Sequence, residues 1–362
     1  MCYTCLCVSK TKSKVLNKKI SNQFYLVPLS IGHKNMTKDI KRIAVFTSGG
    51  DAPGMNAAIR AVVRTAIYHD LHVFGIERGY QGMIEGKLKR LETSDVGNII
   101  QRGGTILKTA RSMEFMTPEG RAKAYDSLLA FDIDACVAIG GNGTFAGAKI
   151  FSEEYDIPMI GVPGTIDNDL YGTDLTVGFD TAINTAMEAA DKIRDTAYSH
   201  NRLFFVEVMG RHSGFIALHS AIGSGAGGVL IPEENSTIEN LIVQLKKAAK
   251  RDKPFGIIII AEGNKYGGAE AVAKLVQEQI SYYDTKVTII GHLQRGGSPT
   301  CIDRVLASRL GYEAVEALLK GQSNVMVGIL NNQLSFTPFD DAIHKEKRVN
   351  AEMMKMAQIL AL

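Results

Sequence analysis

What most restricts the fold of this chain is a unit that recurs along it: a short apolar run, a glycine-rich loop, then a stretch with helical spacing. Residues 43–46 run into Ser48-Gly49-Gly50-Asp51-Ala52-Pro53-Gly54, and 56–68 then carry apolar residues every three or four positions. Residues 135–139 run into Gly140-Gly141-Asn142-Gly143-Thr144, and 159–162 into Pro163-Gly164-Thr165-Ile166-Asp167-Asn168-Asp169, with a helix expected over about 181–198. Further units start at 203–208, 257–260 and 287–290, the last leading through Gly291-His292-Leu293-Gln294-Arg295 to a helix over about 303–319.

Continuous apolar strands alternating with amphipathic helices imply parallel sheets covered on both faces. A chain of 362 residues is long enough for two such domains, each with its own core. The expected class is therefore α/β, as two Rossmann-like parallel-sheet domains. Ligands in such sheets bind beyond the carboxyl ends of the strands, where these loops fall.

Composition removes several other functions. The net charge of +3 is too small to argue for a nucleic-acid partner, and no apolar run approaches the roughly 20 residues of a membrane span. Cys136 and Cys301 stand alone, so a reducing, cytoplasmic setting is expected. Cys2, Cys5 and Cys7 are followed by no second Cys/His pair at ligand spacing, so zinc is not expected. The first 42 residues are basic and lack both periodicity and a signal-type apolar region. They are expected to be a disordered or non-native extension, with translation starting at Met36.

The loops carry the chemistry. Ser48 to Gly54 and Gly140 to Thr144 offer backbone N–H groups before a helix N-terminus, whose partial positive charge favours phosphate. Neither fits the pattern of a P-loop. The third loop sets Asp167 and Asp169 two residues apart beside Thr165. An Asx-turn or helix cap would need only one Asp. Phosphoryl transfer uses one carboxylate to accept the hydroxyl proton and another to hold Mg²⁺. Arg111, Arg202, Arg211 and Arg295 lie in or beside loops, and guanidinium suits phosphate.

The run from Ile43 through Ser48-Gly49-Gly50-Asp51-Ala52-Pro53-Gly54-Met55-Asn56 to Arg60 resembles the opening of bacterial-type ATP-dependent 6-phosphofructokinases. So do 163–169, Glu207-Val208-Met209-Gly210-Arg211, and Gly291-His292-Leu293-Gln294-Arg295-Gly296-Gly297-Ser298-Pro299. The resemblance extends from about 43 almost to the last residue. It implies the phosphofructokinase fold, with an ATP-binding domain from 43–178 plus about 294–344. A fructose 6-phosphate and effector domain would take about 179–293 plus 345–362. It implies a homotetramer whose active sites are shared between subunits, and transfer from ATP to the 1-hydroxyl of fructose 6-phosphate, the committed step of glycolysis. On this resemblance Gly50, Tyr80, Arg111, Gly141, Asn142, Gly143 and Thr144 would contact ATP. Asp167 would be the base, and Thr165, Arg211 and Gly50 would join it in catalysis. Met209, Gly210, Glu262, His292 and Arg295 would hold the sugar phosphate, with Arg202 and Lys286 reaching in from the next subunit.

Several positions depart from the family's pattern. Asn142 stands where a magnesium-side Asp is usual, leaving Asp169 as the metal-side carboxylate and implying weaker metal binding. Lys286 replaces a common Arg and loses the bidentate fork. In the effector site Arg60, Arg64, Arg194, Arg251 and Lys253 keep positive charge, but Thr93, Gly227 and Phe255 replace Arg, Glu and His. A weak response to ADP is expected. Two alternatives stand beside this reading: a pyrophosphate-dependent enzyme, or a catalytically weak sugar-phosphate-binding subunit. Gly143 and Gly164 stand where the pyrophosphate enzymes tend to carry Asp and Lys, and so favour ATP.

Overall fold

In the computed structural model, residues 40–200, 202–233, 238–250 and 256–361 are described. The expectations for residues 1–39, among them the cysteine cluster and the start at Met36, and those for Arg251, Lys253 and Phe255, lie outside the described residues. The described residues form one compact unit by their contacts.

Among the described residues, eleven strands form two sheets. The larger contains β1 (Arg42–Thr47), β2 (His72–Ile76), β3 (Leu88–Leu91), β4 (Ala135–Gly140), β5 (Met159–Pro163), β10 (Val325–Leu330) and β11 (Gln333–Pro338), in the order β11-β10-β5-β4-β1-β2-β3. The smaller contains β6 (Arg202–Val208), β7 (Gly228–Leu230), β8 (Gly256–Ala261) and β9 (Asp284–Ile289), in the order β7-β8-β6-β9. Helices α1 (Met55–Tyr68), α2 (Gly79–Ile84), α3 (Pro118–Ala130), α4 (Asn142–Tyr155) and α5 (Phe179–His200) come first in the chain. They are followed by α6 (Phe215–Ser224), α7 (Ile238–Lys250), α8 (Ala269–Gln277), α9 (Cys301–Leu319), α10 (Phe339–His344) and α11 (Ala351–Leu360).

The smaller sheet is parallel throughout, and so is the interior of the larger one. Both edges of the larger sheet differ from the parallel expectation, because β2 pairs β3 and β10 pairs β11 antiparallel. At one edge the cause is local: Asn331 and Asn332 both have positive φ, 50° and 63°, and turn the chain in the two residues that a parallel crossover cannot use. Strand β9 begins three residues earlier than the apolar run 287–290 suggests, and Ile290 is already outside it. Polar Asp284, Thr285 and Lys286 pair along β6 because backbone pairing does not require apolar side chains.

Alternate residues of β1 face opposite sides of the sheet, as strand geometry requires. Ile43 and Val45 enter one apolar core with Ile59, Val62 and Leu310, while Ala44 and Phe46 enter another with Phe145, Phe151 and Phe339. The first core continues through α5 and α6 to Phe204, Val206 and Val208 of β6, so both sheets share it. Helices α1 and α9 approach closely because Gly311 carries no side chain: a Cβ there would sit 2.6 Å from the Ala58 carbonyl oxygen.

Strand order sets the position of the loops. From β1 the chain proceeds outward to β2 and β3, then returns to the other side of β1 for β4 and β5. That reversal opens a crevice between the loops after β1 and β4. A buried anchor braces the floor beneath it. Asp303, near the start of α9 and fully buried, accepts from the Gly178 N–H at 2.8 Å, the Thr181 N–H at 2.7 Å and the Thr181 hydroxyl at 2.5 Å. Replacing it leaves three buried donors unmatched, at a cost of about 2–5 kcal/mol. Asp303→Ala should therefore lower unfolding stability by that amount in chemical denaturation; a loss below about 0.5 kcal/mol would refute the anchoring role.

Candidate active site

Three loops of the larger sheet meet at the crevice. After β1, Gly49 takes a positive φ of 84° and its carbonyl accepts from the Thr109 hydroxyl at 2.6 Å. After β4, the Thr144 hydroxyl donates to the Ser48 carbonyl at 3.1 Å, which ties the second loop to the first. Gly140 must lack a side chain for this, since its Cβ would lie 2.3 Å from Thr144 Oγ1. A Cβ on Gly143 would meet nothing within 4 Å. The first turn of α4 thus carries backbone N–H groups beside open space, which suits an anion. Tyr80 lies beneath this loop: it is buried, stacks on Phe115 with centroids 4.0 Å apart, and donates its hydroxyl to the Thr144 carbonyl at 2.5 Å. It therefore meets the loop from the protein side. Arg111 is exposed, two residues past Thr109.

The acidic loop follows β5. Asn168 adopts φ 52° between the two carboxylates, and its own amide closes the turn. Asn168 Oδ1 accepts from the Thr176 N–H at 3.0 Å, and Nδ2 donates to the Asp174 carbonyl at 3.2 Å. Asp167 is 4% exposed and its Oδ1 has no hydrogen-bond partner. Burial, then the neighbouring Asp169 charge, push its carboxyl up to about 6, against the opposing pull of Arg295 and Arg211. Asp169 is raised as well, chiefly by burial. Asn142 Nδ2 donates to Asp169 Oδ2 at 2.9 Å, which leaves Asn142 Oδ1 buried and unpaired.

The loop after β6 comes from the other sheet. Gly210 and Arg211 both hold positive φ, 142° and 54°, and both N–H groups donate to Glu262 Oε1, at 3.2 and 2.7 Å. Arg211 Nε stands 3.8 Å from Asp167 Oδ2, close enough to attract but beyond a hydrogen bond. The Ser213 hydroxyl donates to the Asp167 carbonyl at 2.8 Å and joins the loops of the two sheets. The Met209 N–H donates to Gln294 Oε1 at 2.8 Å. One residue on, Arg295 lies against Gly50, where a Cβ would come within 2.4 Å of its Nη1, and donates to the Asp51 carbonyl at 3.0 Å.

Gly50, Asn142, Thr165, Asp167, Asp169, Met209, Gly210, Arg211, Glu262 and Arg295 are thereby drawn around one crevice; a Cβ added to Gly141 would lie 3.6 Å from that of Thr165. His292 is exposed in the 3₁₀ turn Gly291–Arg295. Arg202 and Lys286 stand apart. They share one carboxylate, Asp284, at 2.9 and 2.8 Å, with Arg202 at the amino end of β6 and Lys286 two residues into β9. Six residues of strand separate Arg202 from the site end of β6, about 20 Å. Of the effector positions, Arg60 and Arg64 lie on α1, and Arg194 on α5 donates to the Ser224 carbonyl. Sequence reasoning passed over Ser213, Gln294 and Lys347. Lys347 Nζ donates to Asn168 Oδ1 and to the Asp174 carbonyl, each at 2.9 Å. It sits in the charged run Lys345-Glu346-Lys347-Arg348, which reads as solvated surface.

The profile of the phosphofructokinase family matches residues 42–318. A Bacteroides thetaiotaomicron protein named ATP-dependent 6-phosphofructokinase 2 is 54% identical over 323 residues, covering 89% of this chain and 99% of that one. A Thermus thermophilus protein named ATP-dependent 6-phosphofructokinase 1 is 55% identical over 323 residues, 89% of this chain and 100% of its own. Among solved structures, that of phosphofructokinase from Saccharomyces cerevisiae superposes with a TM-score of 0.81 at 37% identity over 89% of this chain. This chain spans 48% of that yeast chain. A pyrophosphate-dependent phosphofructokinase from Marinobacter aquaeolei superposes with a TM-score of 0.76 at 26% identity, over 86% of each chain.

The buried carboxyl has a stability signature. Its folded value of about 6 lies above the ordinary 3.8, so the native state binds that proton more tightly than the unfolded one. The associated stability is fully present below about pH 4 and is lost between about 4 and 6, a change of roughly 3 kcal/mol in all. Asp167→Asn removes the charge and should melt a few degrees higher at pH 8, with the gain shrinking toward pH 4. An unchanged or lower melting temperature at pH 8 would contradict the burial argument.

Proposed function

The chain belongs to the phosphofructokinase family, and we propose that it transfers the terminal phosphoryl group of ATP to the 1-hydroxyl of fructose 6-phosphate. The products would be fructose 1,6-bisphosphate and ADP. The observation that carries this reading is Asp167: buried, unpaired at Oδ1, held at about 6 and bordered by Arg211. Such a carboxylate accepts a proton near neutral pH and returns it easily.

Each neighbour then has a task. The Gly143 N–H at the start of α4 receives nucleotide phosphate, with Gly50, Gly141, Thr144 and Arg111 on the ATP side and Tyr80 supporting the loop from below through the Thr144 carbonyl. Thr165 and Arg211 flank the transferring group, and the Arg211 guanidinium offsets charge that builds on its oxygens. Met209, Gly210, Glu262, His292 and Arg295 hold the sugar phosphate. Arg202, about 20 Å from the site end of β6, cannot reach this crevice from its own chain, and Lys286 shares its carboxylate, which favours their serving a neighbouring copy in a homotetramer. In this reading 43–178 with about 294–344 binds ATP, and 179–293 with 345–362 binds the sugar phosphate and effector. ATP is favoured over pyrophosphate by the open space at Gly143 and by 54–55% identity to proteins named for ATP.

Magnesium suits the donors present. No group of three or more His, Cys, Asp and Glu among the described residues could hold a metal, so phosphate oxygens and waters would supply most ligands, as Mg²⁺ prefers. Asp169, and the buried, unpaired Asn142 Oδ1 through a water, would hold it on the protein side. When bound, the ion would neutralise phosphate charge. Among the described residues no helix is long and apolar enough to cross a membrane.

Asp167→Asn should lower kcat by about 10²–10⁴-fold with ATP affinity within a few fold, measured in a coupled assay offering ATP or pyrophosphate as donor. Near-normal turnover in that variant would sink the base assignment, and turnover of the parent enzyme on pyrophosphate alone would sink the donor assignment.

Asn142→Asp sets a second carboxylate against Asp169, where the amide now donates at 2.9 Å. Like charges at that range repel until a cation joins them. The variant should need less magnesium for half-maximal rate, and its melting temperature should rise more steeply with added magnesium than the parent's. If neither moves, Asn142 is not a metal-side residue.

A further inference from the structure

One cation beneath the acidic loop has no task in the chemistry above. Lys347 belongs to the segment that leads from α10, beside the larger sheet, to α11, which packs on α6. Its ammonium donates to Asn168 Oδ1 and the Asp174 carbonyl, both at 2.9 Å, and lies 5.1 Å from the centre of the Phe215 ring at the start of α6. These two oxygens already form the brace of the turn, since Oδ1 accepts from Thr176 and the Asp174 carbonyl accepts from Asn168 itself. Each therefore takes a second donor from a distant part of the chain.

The residue so held is a demanding one. Asn168 sits in the left-handed region at φ 52°, which Asn tolerates but still favours less than the ordinary regions. Its two sequence neighbours project Asp167 toward Arg211 and Asp169 toward Asn142. A change in the Asn168 backbone would swing both carboxylates at once, and an ångström of misplacement in a reacting group can cost about 10²-fold in rate.

Keeping an ammonium here opposes solvation. Burial lowers the Lys347 proton affinity to about 8, with Asp174 and Asp169 acting in the opposite direction. From α6, His219 is the other titratable group that faces it, itself held down by burial and by the Lys347 charge. A merely solvated lysine would show neither the burial nor the paired acceptors.

We propose that Lys347 is a positioning residue for catalysis: reaching in from the C-terminal crossover, it locks Asn168 and so fixes the spacing of Asp167 and Asp169. This rests on the reading of Asp167 as the base.

The test compares Lys347→Met and Lys347→Arg with the parent enzyme, at saturating ATP and fructose 6-phosphate. Lys347→Met should lose at least about tenfold in kcat while its KM for ATP stays within about threefold, because the nucleotide loops do not contact Lys347. Lys347→Arg, whose fork can reach two acceptors, should recover to within about threefold of the parent. In an Asp167→Asn background, Lys347→Met should cost clearly less than in the parent, since loop placement then serves only Asp169. Should Lys347→Met fail to fold, Lys347→Gln carries the same comparison with one donor kept. A neutral variant with kcat within twofold of the parent, or an undiminished loss in the Asp167→Asn background, overturns the proposal while leaving the base assignment in place. Full turnover of Asp167→Asn on its own overturns both.

Discussion

The site depends on keeping the Asp167 carboxylate out of water without satisfying it. A carboxylate at a loop tip would ordinarily be solvated or would gather backbone N–H groups, and either would hold its pKa low. Here the available donors are directed elsewhere. The N–H groups of Gly210 and Arg211 go to Glu262, the Ser213 hydroxyl goes to the Asp167 carbonyl, and the Arg211 guanidinium stops 3.8 Å away. Glu262 thus does more than line the crevice. By taking two N–H groups of the neighbouring loop it holds Arg211 in a left-handed conformation that a bulky residue rarely adopts.

That arrangement needs loops from two sheets, and the chain supplies them through a shared core and a few polar links. Strand order places the loops after β1 and β4 on either side of a crevice, and α5 carries the chain across to β6. Asp303 fixes the start of α5 from α9. Ser213 and Lys347 then join the acidic loop to the α6 side, one from each direction along the chain. Bound from both sheets, the acidic loop cannot shift without moving its partners, the kind of pre-organisation that electrostatic catalysis requires.

Much of this was legible in the sequence, and the part that was not follows a physical pattern. Buried strands such as β4 and β8 announce themselves because every residue is apolar. Edge strands do not. Strands β3 and β11 mix polar and apolar residues, since one side of each faces solvent, and β9 begins with Asp284 for the same reason. At the candidate site, the residues that chemistry and resemblance pointed to lie in glycine-rich loops. Residues that only support them were not so marked: Ser213 looks like any loop serine, Gln294 is hidden between Leu293 and Arg295, and Lys347 sits in a run of charges. A single lysine stem can bury its length while its neighbours remain in water, and composition alone does not separate them.

The separation between Asp167 and the Arg202–Lys286 pair bears on how turnover and substrate affinity can be adjusted. The carboxylate lies in the interior, where desolvation sets its proton affinity. The two cations lie about a strand's length away, on an exposed face, and lean on one carboxylate, Asp284, whose own proton affinity they lower. Neither cation is among the charges that shift the Asp167 carboxyl, which are Asp169, Arg295, Arg211 and Glu262. Changes at Asp284 or Lys286 therefore leave the Asp167 carboxyl almost untouched. If the cations serve the 6-phosphate of a neighbouring copy, as the proposed assembly requires, a replacement such as Lys286 for arginine tunes sugar-phosphate binding without altering the base. The enzyme can then vary its affinity across subunit contacts while the chemistry of the acidic loop stays constant.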